Sequence, residues 1–462
     1  MPGLFDYLER AVTGPIMTPK DFQMKILIPN VRRIVNEFDI AFDPAVPVSG
    51  DDDLADRLFE AAIEFLVLTG LYCEGTNRII QFDGPEIRKG LADYKQAGSF
   101  GEGRDRFVLT PRRPEDTQQP WCHLGNGIVA SSDEIAMALV EGFASIPQAK
   151  SVTIPAPDTI RGLPIMGGSP LELYGVIGSI ESARKALWRA GRPGLAILNL
   201  CPAATTATGA IAGCHPSTGA RLSDGWLVDY LAEMTIDFNN FNKLAFITYL
   251  GGNVGSTDLP ILGGYAGGAP GTALVMASYQ IAGCVFMKGD YHLSGPVEMN
   301  LGCSSTRAAL WVYSVVGRAI SRNTNYCVLA NQYAMGGPAT RTYFYEATAE
   351  LLAVVTSGFA GFESCHPARG IIKDGITPTE PQFNADLADG IVQSGMKADS
   401  ACELCNRLLE KYEAEIKTAP PEIQGKTYPQ LYDIKTHKRT EEYDRLYDEV
   451  IEELIQMGVP LR

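Results

Sequence analysis

The chain has 462 residues, 45% of them apolar and 20% charged, so it can bury a large core and belongs with soluble globular proteins rather than disordered chains. Its formal net charge of -15 argues against a nucleic-acid surface, which needs clustered Lys and Arg, and no basic block is present. Ten cysteines without the spacing of a disulfide scaffold read as reduced thiols. The first residues carry no apolar core followed by a small-residue cleavage site, and the apolar stretch 272–287 is too short and too interrupted to span a bilayer, so a cytoplasmic protein is expected.

Residues 1–115 show amphipathic helical patterns at 20–35 and 52–71 and then a polar stretch, which reads as a mostly helical N-terminal cap. From about residue 120 the pattern changes to short apolar runs ended by Gly, Pro or Asn, at 151–155, 194–200, 243–249, 283–287 and 326–331. Helical patterns are read between them at 170–190, 225–234, 271–282, 306–320 and 339–356. Strands alternating with helices at this spacing predict βαβ units, about seven of them, and favour a closed (β/α)8 TIM barrel over 116–416. Gly263 to Gly268 lies mid-chain without the strand, helix and acidic residue of a dinucleotide fold. Residues 417–462 read as a charged helical C-terminal extension.

A barrel places its active site at the C-terminal ends of its strands. The residues predicted to lie there include Cys122, His123, Asn126, Asp158, Asn199, Cys201, Tyr249, Asn253, Asp290, Tyr291, His292, Asn331, Gln332, Tyr333, Glu363, Cys365 and His366. Three histidines directly follow a cysteine, at Cys122-His123, Cys214-His215 and Cys365-His366, which raises zinc. Neighbours on a strand point to opposite faces, however, and no C-x-x-C or H-x-x-x-H spacing pre-forms a pair, so no metal is expected. Tyr249, Tyr265, Tyr291 and Tyr333 could surround a cation and hold it through their ring quadrupoles. Glu233 and Asp290 are the acids expected nearest a bound amine.

Gly263-Gly264-Tyr265-Ala266-Gly267-Gly268 and His292-Leu293-Ser294-Gly295-Pro296-Val297, together with Gly191-Arg192-Pro193-Gly194, Thr306-Arg307, Asn331-Gln332-Tyr333, Tyr432-Asp433-Ile434-Lys435-Thr436 and Thr440-Glu441-Glu442-Tyr443, occur in an order that resembles the monomethylamine:corrinoid methyltransferase family. The resemblance implies a (β/α)8 barrel, a homo-oligomer (a hexamer), and a separate cognate corrinoid protein whose Co(I) takes a methyl group at the barrel mouth. By position Glu233 matches an acidic site residue of the family and Gln332 a site amide, and His292 lies in a shared block. The family carries pyrrolysine, which holds the amine, on an upstream segment. The matching stretch here is Thr205-Thr206-Ala207-Thr208-Gly209-Ala210-Ile211, with Thr208 as the best counterpart and Ala207 or Gly209 as alternatives. The loop after Gly268 reads Ala269-Pro270-Gly271 where the amine-specific enzymes would carry carboxylates.

A neutral primary amine is a very poor leaving group, and a threonine hydroxyl is not an electrophile that could capture it. The expectation is therefore a corrinoid-protein-dependent methyltransferase, working without pyrrolysine, that demethylates a quaternary or otherwise pre-activated small methylated amine or betaine. Thr208, Glu233, His292 and Gln332 are the expected catalytic residues; Tyr249, Tyr265, Asp290 and Tyr333 are expected to bind substrate. The corrinoid is expected on the partner protein, with no tightly bound cofactor in this chain. The rivals are a true monomethylamine methyltransferase without pyrrolysine, a zinc-dependent barrel methyltransferase or hydrolase using His215 or His366, and a binding protein that has lost the chemistry.

Overall fold

A computed structural model describes residues 3–94, 98–200 and 206–461 of the chain. Eight parallel strands form the centre: β1 (Trp121–Leu124), β2 (Ala149–Val152), β3 (Ala196–Ile197), β4 (Gly225–Asp229), β5 (Asn253–Asp258), β6 (Tyr291–Ser294), β7 (Val328–Ala330) and β8 (Gly361–Glu363). Their hydrogen-bonded order is β3-β2-β1-β8-β7-β6-β5-β4, and a parallel bridge from Leu200 to Trp226 closes the ring between β3 and β4. Each strand is followed by a helix: α1 (Asp133–Ser145), α2 (Pro170–Arg189), α3 (Ala207–Gly213), α4 (Phe238–Leu250), α5 (Ala269–Val285), α6 (Arg307–Asn323), α7 (Arg341–Ser357) and α8 (Thr379–Ser394). The fold is an α/β barrel of the (β/α)8 type. Among the described residues no helix is long and apolar enough to cross a membrane.

Three segments differ from the sequence expectation, and each difference moves candidate residues. Residues 243–249, rich in aromatic and branched side chains, belong to α4 and not to a strand. The Asp237 carboxylate accepts from the Asn240 amide to cap this helix, and Gly251 ends it in the left-handed conformation at φ 70°. Residues 283–287 close α5, a helix packed between the sheet and the helix Asp52–Thr69 and buried on every side, so it has no polar face to betray its period. Residues 225–229 form strand β4, in which Trp226 and Val228 join the outer core while Leu227 and Asp229 face inward.

The lower half of the barrel is filled. Phe100 and Leu109, from the segment preceding β1, join Trp121, Leu198, Tyr291, Leu293 and Leu329 in one apolar cluster. The Tyr291 ring lies so close to β5 that a Cβ on Gly255 would sit 2.2 Å from its Cζ, so this strand position has to be glycine. The strand Leu71–Cys73 of the N-terminal region pairs in parallel with Thr235–Ile236, pinning the loop that carries Glu233.

Candidate active site

Above the filled half, the C-terminal strand ends enclose a cavity of about 300 Å³. Every strand or the loop directly after it contributes: Gly127, Thr153, Asn199, Asp229, Thr257, Leu293, Asn331, Tyr333, Glu363 and His366 line it, with Lys243 reaching in from α4. Leu200, Ala210, Leu227 and Leu259 supply apolar surface.

One wall is a connected polar network. The Trp121 indole N–H donates to Ser151 Oγ at 2.8 Å, and Ser151 Oγ lies 2.9 Å from His123 Nδ1. Thr153 Oγ1 joins His123 Nε2, at 2.6 Å, to Glu363 Oε1, at 2.9 Å. Asn199 Nδ2 donates to the same Glu363 oxygen at 3.4 Å, while its Oδ1 accepts from the Tyr291 hydroxyl at 3.1 Å. Asn199 sits at φ 53°, a left-handed conformation that asparagine tolerates better than most residues, and this aims its amide at the network. Both donors meet Glu363 at Oε1, which leaves Oε2 as the atom to carry a proton or meet a ligand.

Burial sets the protonation of this wall. It pushes the Glu363 carboxyl up to about 8, against the smaller opposing pull of the Thr153 and Asn199 hydrogen bonds, so the group is a neutral acid at pH 7. Burial also holds His123 down to about 3 and His366 down to about 4, so both imidazoles are neutral. His366 Nδ1 lies 3.0 Å from the Gln332 carbonyl oxygen, and its ring stacks on Tyr333 at 4.4 Å between centroids and 18° between planes. The wall formed by β7 and β8 thus presents an aromatic surface, an uncharged imidazole and a carboxyl that can release a proton.

Of the expected site residues, Tyr333 lines the cavity. Glu233 and Gln332 follow β4 and β7 at the correct end of the barrel, yet both are buried behind the cavity lining. Glu233 Oε1 accepts from the Ile261 amide at 3.0 Å, its Oε2 has no hydrogen-bond partner among the described residues, and burial raises its carboxyl to about 7. The Gln332 side-chain amide is likewise buried, with no partner among the described residues.

Three placements correct the sequence expectation. Tyr249 ends α4 on the opposite side of the barrel and is 88% exposed. Asp290 precedes β6 instead of following it, so it lies at the closed end, where it accepts from the Val254 amide at 2.8 Å. Both errors follow from taking helix segments for strands. His292 sits within β6, where side chains alternate: Tyr291 and Leu293 face the barrel interior and His292 faces α5. There it is bonded to Asp258 through Nε2 and to Ser256 Oγ at 2.6 Å through Nδ1. Tyr265 is half exposed on the loop between β5 and α5.

Thr208 is exposed on the first turn of α3 and does not line the cavity, whereas Ala210 does. Of its alternatives, Ala207 is buried, and a Cβ on Gly209 would lie 2.6 Å from Glu172 Oε1. Thr205 and Cys201 lie outside the described residues. Thr208→Ala is therefore expected to change turnover by less than about twofold, as measured by initial rate, in line with an exposed substitution away from the site. Asp258→Ala, by contrast, strips His292 of a buried partner and is expected to cost about 2–4 kcal/mol in urea unfolding while ligand affinity is retained.

The Cys-His pairs do not converge. Among the described residues no group of three or more His, Cys, Asp or Glu side chains is arranged to hold a metal ion. Cys122 and Cys365 are buried thiols, the latter 2.9 Å from Glu350, and His215 is exposed and bonded to Ser217. Thr153, Asp229, Lys243 and Thr257 all line the cavity without having stood out in the sequence. For Lys243 a signal existed: Asp237 just before an apolar run is a helix N-cap residue, and a helix starting there places Lys243 in its second turn at the barrel mouth.

A family model described as monomethylamine methyltransferase MtmB matches residues 3–459. The chain is 27% identical over 458 residues to "Monomethylamine methyltransferase MtmB" of Methanosarcina mazei, covering 98% of each chain. It is 26% identical over 455 residues to "Monomethylamine methyltransferase MtmB2" of Methanosarcina acetivorans, again covering 98% of each. The crystal structure of the Methanosarcina barkeri monomethylamine methyltransferase (MtmB) superposes with a TM-score of 0.94 at 25% identity, covering 99% of this chain and 98% of that one.

Proposed function

The chain belongs to the monomethylamine methyltransferase MtmB family, and from that premise we propose that it transfers a methyl group from a small quaternary or otherwise activated methylammonium compound to a corrinoid carried by a separate protein, without pyrrolysine. The observation that carries this reading is the wall of Tyr333, His366 and Glu363 in the barrel-mouth cavity. It offers a cation an aromatic surface and a carboxyl that ionises in its presence, and among the described lining residues none is an electrophile that could capture an amine.

A quaternary nitrogen departs as a neutral amine once its methyl carbon is attacked, so no covalent capture is required. The partner's corrinoid, as Co(I), supplies the nucleophile and accepts the methyl group. What this chain contributes is orientation: it holds the cation in a small cavity with one methyl group turned to the mouth. The loops around that mouth fit a protein partner. Val129, Leu163, Met166, Tyr265, Met299 and Ile371, each 39–63% exposed, sit on the loops that follow β1, β2, β5, β6 and β8. Such an apolar collar suits docking of another protein and brief exclusion of water.

The test is product formation. With the reduced cognate corrinoid protein present, tetramethylammonium is expected to yield trimethylamine, detected by chromatography, only when the enzyme is added. Absence of demethylated product across quaternary amines and betaines, with a corrinoid protein shown to be active, would overturn the reading.

A further inference from the structure

We propose that the substrate is dipolar, a methylated ammonium bearing a carboxylate on a short linker, and that the Lys243 ammonium binds the carboxylate. This rests on the cation-binding reading above and adds the chemistry of the other end of the molecule.

The cavity has two unlike ends. In the closed strand order β4 lies four positions from β8 in either direction, so the two are diametrically opposite. Tyr333, Glu363 and His366 come from the β7–β8 side, whereas Lys243 and Asp229 come from α4 and β4. Lys243 is 93% buried, lines the cavity, and is flanked there by Leu200, Ala210 and Leu227. Its ammonium has three N–H donors, and among the described residues it has one partner, Asp229 Oδ2 at 3.5 Å. That is long for a charge-assisted hydrogen bond, and the Asp229 side chain is 39% exposed, so solvent weakens the pairing further.

A buried ammonium with unused donors costs free energy unless an anion completes its shell. A substrate carrying only a positive charge would leave that requirement unmet and add a second cation to the same small cavity. A zwitterion answers both ends at once, its carboxylate on Lys243 and its methylated nitrogen against Tyr333. The volume of about 300 Å³ lies at the small end of ligand pockets, which suits a compact zwitterion.

The experiment is calorimetric titration of the full-length protein with glycine betaine and with choline, which share the trimethylammonium head and differ in carboxylate against alcohol. The wild type is expected to bind glycine betaine at least about tenfold more tightly than choline, and Lys243→Met to bring that ratio to about one. Lys243→Gln, which keeps a polar head without the charge, gives the same ratio if the charge is the determinant, and thermal melts of both variants establish that they are folded. Equal binding of the two ligands by wild type, or a preference that survives in a folded Lys243 variant, overturns the carboxylate assignment while leaving the cation site standing. No binding of either ligand overturns both.

Discussion

Glu363→Gln is expected to abolish a rise in cation affinity that the wild type shows as pH increases through about 8. Burial raises the folded-state pKa of Glu363 from 4.5 to about 8, so below pH 8 the cavity wall is neutral and above it the wall carries a negative charge. A bound cation favours the ionised form and pulls this pKa down. Binding at pH 7 should then release about one proton, readable by calorimetry in buffers of different ionisation enthalpy. Between pH 7 and pH 9 the wild type should gain up to about tenfold in affinity, while Glu363→Gln stays flat and is weaker at pH 9 by at least about that factor. Identical pH profiles for the two proteins would remove Glu363 from the site. The same proton has a consequence for stability: the folded state holds it between pH 4.5 and about 8, where the unfolded chain has released it. This contribution is present in full below pH 4.5 and is lost as pH rises through 8; Glu363→Gln lacks it.

Tyr333→Ala carries the second large expected effect. The ring lines the cavity and is held in place by its stack on His366, so it reaches a ligand already ordered. A cation on a desolvated ring gains about 2 kcal/mol, so affinity for a quaternary ammonium ligand should fall roughly thirtyfold in Tyr333→Ala. Tyr333→Phe keeps the ring face and should stay within about threefold of wild type. If Phe were as damaging as Ala, the hydroxyl and not the ring would be the binding element. Melting curves for both variants separate loss of binding from loss of fold.

The barrel was legible in the sequence where strands are short and bounded by turn residues, as at 151–155, 194–200 and 326–331, all of which contain or overlap observed strands. It was misread where burial erased the helical period. α5 is buried on every side, and the apolar end of α4 has the composition of a strand. These two errors put Tyr249 and Asp290 at the wrong end of the barrel. His292 was misplaced by the same exchange at 283–287: it lies within the observed strand β6, where alternation turns the imidazole towards α5. Asn199, Glu363 and His366 were visible as polar residues ending apolar runs. Nothing in the sequence ranked them above Glu233 or Gln332, because their importance comes from joining across four strands. Lys243 and Asp229 were hidden by the exchange of helix and strand over 225–249.

The proposed activity is methyl transfer from an activated methylammonium group held by cation recognition and not by covalent capture. The most direct measurement is the rate at which the absorbance of the reduced corrinoid protein changes on methylation, with tetramethylammonium, glycine betaine and monomethylamine compared under identical conditions. Turnover is expected with the quaternary compounds, with loss of that turnover in Tyr333→Ala and no comparable rate with monomethylamine. Efficient methylation from monomethylamine, with none from the quaternary compounds, would contradict it.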